Sequence, residues 1–242
     1  VIRTPDKVRY YKVSSDTQAF DNLNQDTVSA KVDYRLDDQW SLTSLTTNTR
    51  SDYTNRLDFD QTADANEVIR RQQDGNLFGQ ELRLNYNSDT VKSFLGAYYG
   101  HNSNNFHDRL LFDNVLAVTV KGDTVIENKA LFGEVDWTFA PRWTLVTGLR
   151  YDHETNDTDI KQDDLSEAAK VKKSFAAVLP KLGINYELAT GQYLGFMVQK
   201  GYRGGGVNVR SGSGHEAYDP EYTTNYELSY RGSFLDLSLI HI

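Results

Sequence analysis

The chain has 242 residues, a net charge of −8 from 34 acidic and 26 basic side chains, 38% hydrophobic residues and a mean hydropathy of −0.60. The acidic excess speaks against nucleic acid as a partner, because a phosphate backbone demands clustered Lys and Arg, and the absence of cysteine excludes a disulfide framework and a Cys-ligated metal. No apolar run approaches the roughly 18 residues of a transmembrane helix, yet a β-barrel exposes only alternate residues to lipid and keeps its average hydropathy low.

In chain order, the N-terminus at Val1 shows neither Met nor a signal sequence and reads as an interior cut. Residues 8–13 read as the end of a strand. From 28 to 36 apolar residues alternate with Lys31, Asp33 and Arg35; Asp37, Asp38 and Gln39 turn the chain, and 40–53 returns. Alternation resumes over 79–87, with Leu82, Leu84 and Tyr86 opposite Glu81, Arg83 and Asn85; 88–90 turns it into 91–100. Leu131, Gly133, Val135, Trp137 and Phe139 then share one face against Phe132, Glu134, Asp136 and Thr138. Pro141 and Arg142 reverse the chain into Trp143, Leu145, Thr147, Leu149 and Tyr151. A helical fragment is expected at 165–171, within a loop. Two long strands meet at Ala189, Thr190 and Gly191, and a glycine-rich polar excursion follows before another strand begins near Glu221. The residues 237–242 lack the aromatic ending of a complete barrel and read as a tail that is not native to it.

The fold class expected is therefore all-β: an antiparallel transmembrane β-barrel meander, partial, with about nine to ten strands of a larger barrel. The whole chain, 1–242, is one such barrel domain. Its connections sort by length, short at one end and long and polar at the other (near 54–76, 102–124, 156–172 and 204–223), whereas a soluble sandwich has two equally wet ends. Tyr34, Trp40, Tyr86, Trp137, Phe139, Trp143, Tyr186 and Tyr193 all sit near the short turns, where a periplasmic belt of amphipathic rings belongs. The opposite face carries Lys31, Asp33, Arg35, Glu81, Arg83, Asn85, Glu134, Asp136, Arg150, Asn185, Glu187, Glu227 and Arg231. It would line a wet or plugged lumen.

Other groups invite chemistry and resist it. Gly204, Gly205 and Gly206 permit a bend where a strand leaves the membrane. Arg203 is expected to pair with a carboxylate such as Glu227, and Glu221, Asn225 and Glu227 to share a strand face. His101, His107, His153 and His215 fall in or near presumed loops without metal-ligand spacing. Asp152, Glu154, Asp157, Asp159, Asp163 and Asp164 form an acidic stretch without a calcium-loop pattern. No nucleophile elbow or phosphate loop is present, so no enzyme, cofactor or bound metal is expected.

Three runs then carry a resemblance: 179–186 (LPKLGINY), 200–208 (KGYRGGGVN) and 218–228 (YDPEYTTNYEL) resemble the barrel of TonB-dependent outer-membrane receptors, strongly over 175–234 and upstream through the hairpin pattern. The resemblance implies a 22-stranded barrel filled by an N-terminal plug, in the outer membrane of a Gram-negative bacterium. It further implies uptake of a scarce ligand such as a ferric siderophore. The partners it implies are outer-membrane lipid, the ligand, and TonB with its inner-membrane energising complex, reached through a plug-borne box. Plug and box are outside this chain, which resembles an internal barrel fragment. Ligand contacts are expected in the outer loops at Phe106, His107, Arg109, Phe112, Arg203, Asn208, Arg210, His215 and Tyr218. The rival readings are a passive porin and a soluble carbohydrate-binding β-sandwich.

Overall fold

The computed structural model describes residues 17–59, 67–162, 169–208, 216–234 and 237–241. The strand expected at 8–13, Asp163, Asp164, Arg210, His215 and most of the proposed helical fragment lie outside them. Twelve strands follow one another: β1 (Phe20–Arg35), β2 (Trp40–Asp58), β3 (Glu67–Asn87), β4 (Val91–Phe112), β5 (Val115–Ala140), β6 (Trp143–Gln162), β7 (Ala169–Ala189), β8 (Gln192–Arg203), β9 (Gly206–Asn208), β10 (Glu216–Tyr218), β11 (Glu221–Phe234) and β12 (Leu237–His241). Ten of them form one antiparallel meander in the order β1-β2-β3-β4-β5-β6-β7-β8-β11-β12, and β9 pairs with β10 in a separate hairpin. Residues 169–171 of the expected helix begin β7 instead.

The short connections fall where the sequence puts them, and each has a local cause. Asp37 Oδ1 accepts hydrogen bonds from the amides of Gln39 and Trp40 at 2.8 and 2.7 Å, an Asx turn that reverses β1 into β2. The Ser88 hydroxyl accepts from the Val91 amide at 3.1 Å. Arg142 (φ 70°) and Gly191 (φ 76°) take left-handed conformations between β5 and β6 and between β7 and β8; only at Gly191 is this free of steric cost.

At the other end the long polar excursions are built largely of strand. β4 and β5 run for 22 and 26 residues, far beyond the roughly 5–6 of an ordinary strand and the 9–11 of a membrane crossing. They meet in a two-residue turn, Asp113 (φ 50°) and Asn114 (φ 64°), as a type I′ hairpin requires. The sequence reads as a loop there because 102–109 is polar on both faces apart from Phe106, and the apolar residues of 110–120 follow one another without alternating with polar ones.

Register fixes the two faces, since residues directly opposite in antiparallel strands point the same way. One set of rows runs Tyr34, Leu42, Leu84, Leu95, Gly133, Leu149 and Pro180; the next Val32, Ser44, Leu82, Ala97, Leu131, Tyr151 and Val178. These apolar side chains stand exposed on the convex face. Ring pairs bound the band at the short-turn end, Trp40 with Tyr86 at 4.8 Å and Trp143 with Tyr186 at 4.5 Å. Phe78 and Tyr99, 6.3 Å apart, bound it at the other with Tyr151. The eight residue steps from Trp143 to Tyr151 amount to about 27 Å along the strand, or about 20 Å along the normal at a tilt near 40°. Tyr193 departs from the expected belt: its register opposite Glu187 and Arg231 puts it on the concave face, with the Arg231 guanidinium 5.2 Å from its ring centre. Buried hydrophobic side chains are few among the described residues (Val68, Ala130, Val146, Ile160, Ala177), so no second layer covers the sheet.

Candidate functional site

The concave face gathers the charged side chains that alternate with the apolar band. Curvature lets them reach across two strands. The Arg83 guanidinium (β3) lies 5.1 Å from the Phe94 ring centre and 5.5 Å from that of Phe132; Arg150 (β6) lies 5.3 Å from Phe132 and 5.8 Å from Tyr98. Phe132 is thus held between two guanidinium groups, each contact worth about 0.5–2 kcal/mol depending on desolvation. Its ring occupies the space above Gly96, where a Cβ would stand 2.6 Å from the ring tip. Glycine is needed here for room. Arg83 also pairs with Glu81 at 2.7 Å, and Lys181 (β7) donates to Glu134 (β5) at 2.8 Å.

Above this ladder a cavity of about 650 Å³ opens over β3 to β8, lined by Leu77, Glu81, Tyr98, Asn128, Arg150, Asp152, Glu154, Leu179, Tyr202 and Gly204 among others. Asp152, 4% exposed, is its anchor: Arg150 Nε donates to Oδ2 and Asn128 Nδ2 donates to Oδ1 at 2.6 Å. The carboxylate is therefore already satisfied, and it fixes both donors. Glu154, opposite Asn128 in register, is held above the usual carboxyl range by burial and then by the charge of Asp152.

The chain after β8 closes over this cavity. The β7–β8 ladder stops at Lys181 opposite Gln199, beside Pro180, which has no N–H to continue it. Gly204 then comes against Glu154, and Gly205 against Phe175 and the Tyr218 carbonyl. The bend expected of these glycines is present, but none of them takes a positive φ; what they supply is close approach, since a side chain at either position would strike these groups. Arg203 meets Glu221 at 3.9 Å, its directly opposite neighbour. Glu227 is opposite Met197 instead, so the Arg203–Glu227 pairing is corrected. Glu221, Asn225 and Glu227 do share the concave face.

The structure divides the expected ligand contacts. Phe106 turns inward and packs on Gly122, whereas His107 and Arg109, its neighbours on β4, belong to alternate rows on the convex face with Gln72, Lys121, Arg70 and Thr119. Phe112 flanks the Asp113–Asn114 turn. Tyr218 covers Gly206 in the β9–β10 hairpin, where Asn208 pairs with Glu216. The acidic stretch of β6 is likewise split, with Asp152 and Glu154 concave and Asp157 and Asp159 convex. His101, His107 and His153 stand on strands, on the convex face. The cluster that sequence reading missed is Arg150, Asp152, Asn128 and Glu154, whose signal was an i, i+2, i+4 run of polar residues on one face beyond the lipid-length alternation.

A family model described as TonB dependent receptor-like, beta-barrel, matches residues 3–241. Among solved structures, the ferric yersiniabactin uptake receptor FyuA from Yersinia pestis matches with a TM-score of 0.79 at 21% identity, over 92% of this chain and 35% of that one. The siderophore receptor PiuA from Acinetobacter baumannii gives 0.75 at 14%, over 93% and 40%. The copper transporter OprC gives 0.64 at 15%, over 90% and 38%. The chain therefore spans well under half the length of these proteins, and at such identities the likeness is one of fold.

Proposed function

Because the chain belongs to the TonB-dependent receptor-like β-barrel family, we propose that it forms part of the barrel of a Gram-negative outer-membrane receptor that takes up a scarce ligand with energy delivered through TonB. The observation that carries this reading is the division of one sheet into an apolar convex face bounded by two aromatic girdles and a charged concave face holding a cavity. Such a division suits lipid outside and a polar lumen inside. The short turns then face the periplasm and the strand extensions rise outside the cell.

The cargo we propose is a ferric siderophore. FyuA and PiuA are named as receptors for such compounds, while OprC is named as a copper transporter, so the fold alone leaves cargo open. Of the expected contacts, Phe106 and Arg203 stand on the concave face, and an aromatic and a cationic group there suit an anionic or aromatic chelate. The test is radioiron uptake by cells expressing the intact receptor under iron limitation, with and without TonB. Uptake of a ferric siderophore that stops without TonB supports the reading; conductance or uptake indifferent to TonB replaces it with a passive porin.

A further inference from the structure

The ladder between β8 and β11 resumes, in the same register, between β9 and β10. Arg203 is opposite Glu221, and Gly206 is opposite Tyr218. Between these pairs Gly204 and Gly205 face Asp219 and Pro220; there the ladder lapses, and the outer half becomes a separate two-stranded sheet. Glycine bends most freely, and Pro220 has no N–H to hold a ladder. A ladder interrupted on both strands without loss of register is a hinge.

The edge that β9 leaves is open. The Glu187 amide donates to the Arg142 carbonyl, just ahead of β6, at 2.8 Å. Odd-numbered residues of β7 therefore point their backbone groups at β6, and even-numbered ones point toward β8. Above Pro180 the even set, Lys170, Lys172, Ser174, Ala176 and Val178, meets no strand among the described residues. Lys181 is opposite Gln199. Carried on from there, the register sets Val178 against Tyr202, Ala176 against Gly204, Ser174 against Gly206 and Lys172 against Asn208. Each of these residues has an N–H to give, so a straight hairpin would extend the ladder along an edge that is otherwise exposed.

Tyr202 bears the mark of the displacement. Val198 is opposite Leu182 on the convex side, and alternation assigns Tyr202 to that side too. Its ring lies instead in the concave cavity, where the hydroxyl is buried without a hydrogen-bond partner among the described residues. Such an unmade bond is costly. Beside Val178 it would join the row of Tyr151 at the upper girdle, with its hydroxyl at headgroup level. What holds the hairpin inward is the approach of Gly204 to Glu154 and of Gly205 to the tip of the Phe175 ring.

We propose that β9 and β10 form a hinged gate with two seats. Folded inward, as here, the gate covers the cavity of Arg150, Asp152 and Glu154. Straightened at Gly204–Gly205 and Asp219–Pro220, it lays β9 along the free edge of β7, completes the wall and uncovers the cavity. The exchange follows from strand register alone; its use in admitting cargo rests on the receptor assignment above.

The test uses the intact receptor in lipid, read by amide exchange over 170–178 and by labelling of a cavity thiol, Leu179→Cys, with a membrane-impermeant maleimide. Gly204→Ala with Gly205→Ala adds side chains that strike Glu154, Phe175 and the Tyr218 carbonyl, and an extended strand accepts both. Exchange at Lys172, Ser174 and Ala176 should slow roughly tenfold, and the thiol should label faster. Ala176→Pro removes a donor from the free edge and should abolish both effects when added to the alanine pair. Unchanged exchange and labelling in the alanine pair, or fast labelling that survives Ala176→Pro, overturns the proposal. If the alanine pair does not assemble, Lys172→Cys with Asn208→Cys decides. The two stand about 5.5 Å apart at Cα in the straight register, within disulfide reach. Oxidation should join them, and Ala176→Pro should prevent it; no disulfide in the assembled receptor overturns the gate. TonB-dependent uptake by the unaltered receptor, measured alongside, separates failure of the gate from failure of the receptor assignment.

Discussion

Replacing Leu182 with Arg puts the lipid-facing assignment under the greatest strain. Leu182 stands on the convex face of β7, opposite Thr147 and Val198, four residue steps from Tyr186 of one girdle and four from Val178 near the other. Four steps are about 14 Å along the strand and about 10 Å along the normal, which is the middle of the apolar band. The side chain is 58% exposed. In water, a substitution at so open a site costs within about 0.5 kcal/mol. In hydrocarbon, Arg at the midplane of a barrel costs about 2–4 kcal/mol, a factor of roughly 30 to 1,000 in the folding equilibrium, and neither cross-strand neighbour is a carboxylate. Denaturant unfolding of the intact receptor in phospholipid vesicles, with heat-modifiable gel mobility as the assembly readout, measures the difference. The adjacent Lys181→Leu is the control, because Lys181 faces inward and loses only its pair with Glu134, about 1 kcal/mol or less at this exposure. A cost for Leu182→Arg below about 0.5 kcal/mol, with normal assembly, would refute the placement of this face in lipid.

Gly96→Ala should cost about 1–3 kcal/mol by driving the Phe132 ring from between Arg83 and Arg150. Phe132→Leu in the same chain should recover part of it, so a double-mutant cycle by denaturant unfolding returns a coupling above about 0.5 kcal/mol. Asp113→Val should destabilise the outer hairpin by about 1–3 kcal/mol, since a β-branched residue resists φ 50°, and amide exchange along 105–122 should rise. Glu154 binds its proton more tightly when folded than at its ordinary value of 4.5. Protonation therefore stabilises the packing of Gly204 on Glu154 as pH falls through the raised pKa, and that stabilisation is lost as pH rises back through it. Glu154→Gln should flatten the pH dependence of amide exchange over 200–206.

What the sequence disclosed and what it concealed follow from where alternation has a physical cause. Between the girdles each strand faces lipid on one side and polar groups on the other, so Leu82, Leu84 and Tyr86 separate from Glu81, Arg83 and Asn85 at sight. Beyond the girdles both faces are wet. Residues 102–109 are polar on either side of Phe106, and a continuing strand there leaves no period of two to read. The Asp113–Asn114 pair was a legible turn signal, because both residue types tolerate a left-handed backbone, but it was submerged in a stretch already read as loop. The same loss of alternation explains the divided ligand set: on a loop Phe106, His107 and Arg109 can converge, whereas on a strand the one-residue step sends Phe106 inward and the other two outward. Gly204 to Gly206 announced a bend, while its reason, the approach to Glu154, Phe175 and Tyr218, is a tertiary contact that no local pattern encodes.

The most direct test of the two-faced barrel is a spin-label scan of β6 from 144 to 151 in the intact receptor, reconstituted in lipid, with collision rates measured for oxygen and for a water-soluble nickel chelate. Labels at 145, 147, 149 and 151 should favour oxygen and those at 144, 146, 148 and 150 the chelate, alternating residue by residue. Equal access of the chelate to both sets would contradict the assignment of the convex face to lipid, and with it the receptor barrel.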